Sequence, residues 1–245
     1  MRRAGALRPH HHDDAAFQTS TIAALLDGAY DGDLTFGELA LHGDFGLGTL
    51  QGLDGEMVAL DGRFFVARVD GRVSQVPEET KTPFAVVVPW ESDGHFSLKA
   101  IGSLEELCAE LDRSIGHKTD IVAVRVDGLF ARVKARSVAK QSPPYPPLSE
   151  VTAHQTVFEW SDLEGTLVGF RFPDAARGYE MVGYHFHFLS NDRLRGGHVL
   201  DCVMPGGTVQ YHRPHRLHVE LPEGLAWHAP DTSAAKDAVL KRAER

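Results

Sequence analysis

Three Asp-Gly pairs, Asp54-Gly55, Asp61-Gly62 and Asp70-Gly71, recur at short spacing early in this chain. A tight hairpin turn needs positive φ at its centre. Glycine adopts it without steric cost, and aspartate tolerates it through local side-chain hydrogen bonds. The segments between and around the pairs are Gly46 to Leu50, Glu56 to Leu60, Arg63 to Val69 and Arg72 to Val76. They carry the β-branched and aromatic residues of strands, so this stretch predicts a β-meander. A fourth pair, Asp127-Gly128, separates Ile121–Val126 from Leu129–Ala135 and predicts another hairpin. Gly46-x-Gly48 leads into a strand-like run rather than a helix, which excludes a phosphate cradle there.

Helical signals are few. Thr19 to Leu26 has a Ser/Thr start, an apolar stripe and Asp27-Gly28 as a stop. Thr35 to Leu39 resembles a second short helix, and Leu104 to Ile115 has helical periodicity. Phe84 to Val88 reads as a buried strand. Four prolines between Pro143 and Pro147 cannot continue a helix or sheet, so residues 142–148 read as an extended linker between two domains or two sheets. Before the linker, residues 19–141 form the expected N-terminal sheet domain with helices. Beyond it, 149–222 form the expected second one, with strands at His154–Phe158, Glu164–Phe172, His185–Phe188, His198–Val203 and Leu217–Leu221. Residues 1–18 are expected to be a disordered tail, and 223–245 a tail packing back toward the site.

The second sheet carries the chemistry. In Tyr184-His185-Phe186-His187 the two histidines share one face of a strand, and Phe186 points the other way. Leu189 to Gly197 is rich in turn formers, and His198 opens a second apolar strand. Paired as a hairpin, these strands bring three imidazoles together. Three neutral histidines without a fourth protein ligand make an open metal site. Each histidine alone reads as an ordinary strand residue; the pair with a third at hairpin distance points to metal. No carboxylate follows at cupin spacing. His212, His215 and His218 are spaced by three, but Pro214 breaks any helix that would align them, and they read as solvated loop and strand positions. His42, His95, His117, His154 and His228 stand alone.

Composition bounds the partners. The net charge of −9 excludes a phosphate-binding surface of the nucleic-acid kind. No apolar run reaches membrane-spanning length, and the N-terminus lacks the apolar core of a signal peptide, so a cytoplasmic protein is expected. Cys108 and Cys202 read as buried free thiols, with a disulfide as the alternative. Glu56, at the mouth of a strand after Asp54-Gly55, is a candidate acid or base, although by local sequence it reads as a solvated turn residue. Arg136 ends the strand before the linker. It could clamp a carboxylate in a bidentate way, or be a surface arginine beside Arg132, Lys134 and Lys140.

Taken together, these segments resemble the α-acetolactate decarboxylase family. The resemblance is carried by Thr21 to Gly28, Gly32 to Leu50, Leu53-Asp54-Gly55-Glu56, Phe64 to Thr82, Arg136-Ser137-Val138, Pro144 to Leu148, and Gly165 to Cys202. It implies an α/β fold of the β-rich α+β kind, with two β-sheet domains, a few helices and the metal site at the inter-domain junction. It also implies a homodimer and conversion of 2-acetolactate to acetoin and CO2. His185, His187 and His198 would bind Zn2+, and Glu56 and Arg136 would be active-site residues. Glu244 would be the C-terminal glutamate over the site, with Glu220 and Glu223 as alternatives. In the mechanism expected, zinc chelates the ketone and hydroxyl oxygens, Arg136 orients the carboxylate, and the glutamates handle the proton. Thr49 would line the substrate pocket or serve only as a strand residue. The rival readings are a cupin-like metal-dependent dioxygenase or isomerase, and a non-enzymatic binding module with a structural zinc.

Overall fold

A computed structural model of the chain describes residues 14–221 and Leu240. The first half runs β1 (Ala15–Thr19), α1 (Ile22–Leu26), β2 (Leu34–Thr35), α2 (Phe36–Leu39), β3 (Phe45–Thr49), β4 (Glu56–Leu60), β5 (Arg63–Ala67), β6 (Val73–Gln75), β7 (Lys81–Thr82) and β8 (Ala85–Val88). It continues with β9 (Gly94–Leu98), α3 (Leu104–Ile115), β10 (Val122–Ser137), α4 (Leu148–Thr152), β11 (Thr156–Phe172), β12 (Gly183–Ser190), β13 (Gly196–Val203), β14 (Gly207–His212) and β15 (Arg216–Glu220). A seven-stranded sheet has the order β15-β1-β8-β3-β4-β5-β6, and a six-stranded sheet the order β11-β12-β13-β10-β14-β9. The fold is mostly β with few helices, an α+β class.

The meander forms as its turns dictate. Asp61 and Gly62, at φ 53° and 72°, close the two-residue hairpin that pairs Leu60 with Arg63. Gly55 has φ 101°, and a Cβ there would sit 2.5 Å from the Ala67 carbonyl oxygen. Only glycine fits that approach, and it makes Glu56 the first residue of β4.

The fourth Asp-Gly pair makes no turn. β10 runs unbroken for 16 residues through it. Asp127 pairs with Thr166 and Thr208, and Gly128 with Gly165 and Gly207. The Asp127 carboxylate accepts from Arg125 Nε and from the Thr166 hydroxyl, both at 2.7 Å. A Cβ on Gly128 would lie 2.9 Å from Met204 Cε. Here glycine serves a close approach of neighbouring chain, not a reversal. β11 likewise joins two expected strands into one. It pairs along β10, β12 bridges β11 to β13, and β13 returns to β10, so four strands close a circuit.

Sheet membership does not change at the prolines. β9 and β10 precede them yet belong to the six-stranded sheet. β15, expected in the second sheet as Leu217–Leu221, lies parallel to β1 at the edge of the first. The stretch expected as a tail also holds β1, which is wedged between β8 and β15 with Phe17 buried. These pairings are long-range and leave no local mark. Residues 1–13, and the expected C-terminal tail apart from Leu240, lie outside the described residues.

α3 spans the residues its periodicity indicates. Ser103 caps it by accepting from Glu106 N–H, and Leu107, Leu111 and Ile115 face the core. That core includes Phe130, Phe186 and Phe188. Phe188 is fully buried, edge-on to Phe130 at 5.0 Å. Phe188→Ala is expected to destabilise the protein by about 3–5 kcal/mol, measured as a lower denaturant midpoint with unchanged slope.

Candidate metal centre

β12 and β13 pair so that His187 stands directly opposite His198. His185, two residues along β12, shares their face, while Phe186 packs into the core behind. His185 Nε2 lies 3.2 Å from His187 Nε2 and 3.0 Å from His198 Nδ1. His187 Nδ1 donates to the Met57 carbonyl at 2.7 Å, which leaves its Nε2 lone pair facing the other two rings. All three side chains are buried. Burial, with a smaller contribution from the Arg136 charge, pushes His185 down to about 3. Burial also holds His187 well below the usual histidine range, with His185 and Arg136 adding to it and the Met57 bond opposing. His185 and His187 are therefore neutral, as metal ligation requires. A tetrahedral ion with bonds of about 2.0–2.1 Å holds its nitrogens about 3.3 Å apart, close to the two spacings from His185. The residues present fit a metal ion. Among the described residues, no other His, Cys, Asp or Glu group converges in this way.

The seven-stranded sheet contributes Glu56, which forms a buried ion pair with Arg136 of β10 in the other sheet. Glu56 Oε1 accepts from Arg136 Nη1 at 2.6 Å, and Glu56 Oε2 lies 3.5 Å from His187 Nε2. Glu56 is only 6 % exposed and Arg136 4 %, so neither is the solvated residue that local sequence suggests. Arg136 reaches this position because β10 sets it opposite His198. Thr49 stands opposite Glu56 in the β3–β4 ladder and donates its hydroxyl proton to Gly55 O at 2.7 Å. Thr49, Glu56, Arg136 and the three histidines line one small cavity of about 40 Å³ that opens to solvent. Both sheets thus contribute to its wall.

The sequence profile of the family described as alpha-acetolactate decarboxylase matches residues 16–232. The chain belongs to the α-acetolactate decarboxylase family. That family is one of carboxy-lyases, so the chain is an enzyme. An alpha-acetolactate decarboxylase of Methylococcus capsulatus is 44 % identical over 234 residues, 96 % of this chain and 90 % of that protein. One from Methanosarcina mazei is 45 % identical over 85 % of this chain and 73 % of its own length. The crystal structure of alpha-acetolactate decarboxylase from Bacillus subtilis strain 168 superposes with a TM-score of 0.89 at 33 % identity, covering 94 % of this chain and 99 % of that one.

Six of the seven candidate residues thus meet in one place in this α-acetolactate decarboxylase family member. The seventh, Glu244, lies outside the described residues, as do Glu223 and His228. Glu220, the other alternative, sits in β15 at the edge of the seven-stranded sheet. Sequence reasoning missed the Met57 carbonyl and the apolar wall built by Ile22, Leu25 and Leu148. A carbonyl leaves no residue signal, and those side chains read as ordinary core. His212 is not solvated as expected: it is buried, with Nε2 3.1 Å from Asp14 Oδ1. It borders a larger open cleft with His42 and Trp90. Both cysteines are free, and burial pushes each thiol up to about 12, which keeps them unreactive. Among the described residues, no helix is long and apolar enough to cross a membrane.

Proposed function

We propose that the chain decarboxylates 2-acetolactate to acetoin and CO2, with a zinc ion held by His185, His187 and His198. One observation carries the reading: three buried imidazoles offer nitrogens that all lie within 4.8 Å of one another, beside a buried Glu56–Arg136 pair. Bound there, zinc would supply a Lewis acid for the ketone and hydroxyl oxygens of the substrate.

The chain's own residues supply the rest. The Arg136 guanidinium orients the substrate carboxylate. Its grip on Glu56 keeps it from holding that carboxylate so firmly that the ground state gains more than the transition state. As the bond to the carboxylate carbon breaks, its electron pair passes toward the ketone, and CO2 departs. The carbon left behind then takes one proton, which comes from solvent and which Glu56 relays through Oε2. Delivery from one fixed side makes the acetoin chiral. The Thr49 hydroxyl donates its hydrogen bond to Gly55 O, so it offers substrate a lone pair and a methyl group. Glu244 is assigned a supporting role over the site, on the family resemblance.

The test is metal removal. Chelated protein is expected to lose acetoin formation from racemic 2-acetolactate, and one equivalent of zinc to restore it. Undiminished turnover in metal-free protein would exclude the metal role. Oxygen uptake with iron, and no acetoin, would favour a dioxygenase instead.

A further inference from the structure

The cavity has a second face. Besides the polar groups it is lined by Ile22, Leu25, Leu53, Phe84, Val138 and Leu148. All six are buried and belong to one apolar cluster, which Tyr30, Val151 and Leu240 back from behind. We propose that Ile22, Leu25 and Leu148 form the filter that sets which alkyl groups the enzyme accepts. The inference rests on the decarboxylation proposed above.

A 2-hydroxy-3-keto acid has its oxygens on two adjacent carbons and alkyl groups on the same two carbons. With the oxygens turned toward Arg136 and the histidines, the alkyl groups have only the apolar wall to meet. Burial there removes their surface from water, and the wall shields the carbon losing CO2 from stray solvent protons. The two faces differ in stiffness. Glu56, Arg136, Thr49 and the histidines lie on strands held by ladders on both sides. Phe84 and Val138 directly adjoin strand ends, at β8 and β10. Ile22 and Leu25 lie on α1 and Leu148 on α4, two helices of five residues each. These helices pack on one another. α1 is tied to the rest through backbone bonds such as Ile22 N–H to Tyr179 O at 2.9 Å. Wall residues on such short helices can change size without disturbing the polar face, whose spacing the strands hold.

The test compares three substrates: 2-acetolactate, its homologue with ethyl on the carboxylate-bearing carbon, and its homologue with ethyl on the ketone. Ile22→Ala and Leu148→Ala, each with zinc content verified, are expected to raise kcat/KM for one ethyl homologue relative to 2-acetolactate by about tenfold or more, as expected for one methylene in an apolar pocket. The homologue that gains identifies which alkyl group meets the wall. Ile22→Val and Leu148→Val serve where an alanine variant fails to fold, with a smaller shift in the same direction. An unchanged ratio for both homologues in folded, metal-loaded variants overturns the filter. A parallel arm needs no turnover: thermal stabilisation by butane-2,3-diol and by pentane-2,3-diol, where the variants should favour the longer diol. If the wild type makes no acetoin, the decarboxylation reading fails, and the diol arm alone decides the wall.

Discussion

Glu56→Gln is expected to lower kcat by about 10²–10⁴-fold, the usual contribution of a positioned acid or base, with zinc content unchanged. The substitution keeps shape and one hydrogen bond. A glutamine oxygen can still accept from Arg136 Nη1, where Glu56 now sits at 2.6 Å. What it removes is a group able to carry a proton to the carbon that loses CO2. It also leaves the Arg136 charge, 4 % exposed, beside a neutral partner. Breaking a buried pair outright costs about 3–5 kcal/mol, so a smaller loss of stability should accompany the fall in rate. Single-turnover acetoin formation, metal analysis and denaturant unfolding on the same sample separate the two effects. Glu56→Asp keeps the carboxylate but withdraws it, and should recover part of the lost rate. A Glu56→Gln enzyme with full turnover would remove Glu56 from the mechanism.

The histidine trio was legible in sequence because strand geometry is local. Residues two apart share a face, so His185 and His187 had to point together, and the turn-forming run before His198 brought a third ring back. The pair opposite was not legible by the same logic. Glu56 follows an Asp-Gly turn, where a carboxylate normally meets water. It is buried because β4 lies inside a sheet and because Arg136, 80 residues away, arrives from the other one. Only the family resemblance joined the two. Asp-Gly itself carried two meanings. At Asp61-Gly62 both residues have positive φ and the chain reverses. At Asp127-Gly128 the same dipeptide lies in mid-strand, because glycine also fits wherever neighbouring chain comes too close for a Cβ. The parallel pairing of β15 with β1 joins the two ends of the described chain and has no local signal at all. Short-range pattern therefore gave the strands and the metal face, while the partition into sheets and the acid opposite the metal depended on contacts between distant segments.

His187→Ala should abolish turnover and zinc binding together. His187 is the most deeply buried of the three rings, at 1 % exposure, and its tautomer is set by a backbone bond to the Met57 carbonyl. Removing the ring deletes one of the three proposed ligands. Loss of an outer hydrogen-bond partner already costs about 10–100-fold in metal affinity, and loss of the ligand itself should exceed that. The Met57 carbonyl, now facing a cavity, keeps its strand position because the β3–β4 and β4–β5 ladders fix Met57 from both sides. The variant is therefore expected to fold, with Glu56 and Arg136 still paired, so that lost activity reports the metal and not a collapsed site. Zinc titration by a competing chelator, run beside the acetoin assay, gives the comparison. His187→Gln, which offers a weaker oxygen ligand, should fall between alanine and wild type in both readouts. A His187→Ala protein that turns over substrate without bound metal would overturn the proposed role of the trio. One that keeps zinc at wild-type affinity but loses activity would move His187 from ligand to proton handling, alongside Glu56 Oε2 at 3.5 Å.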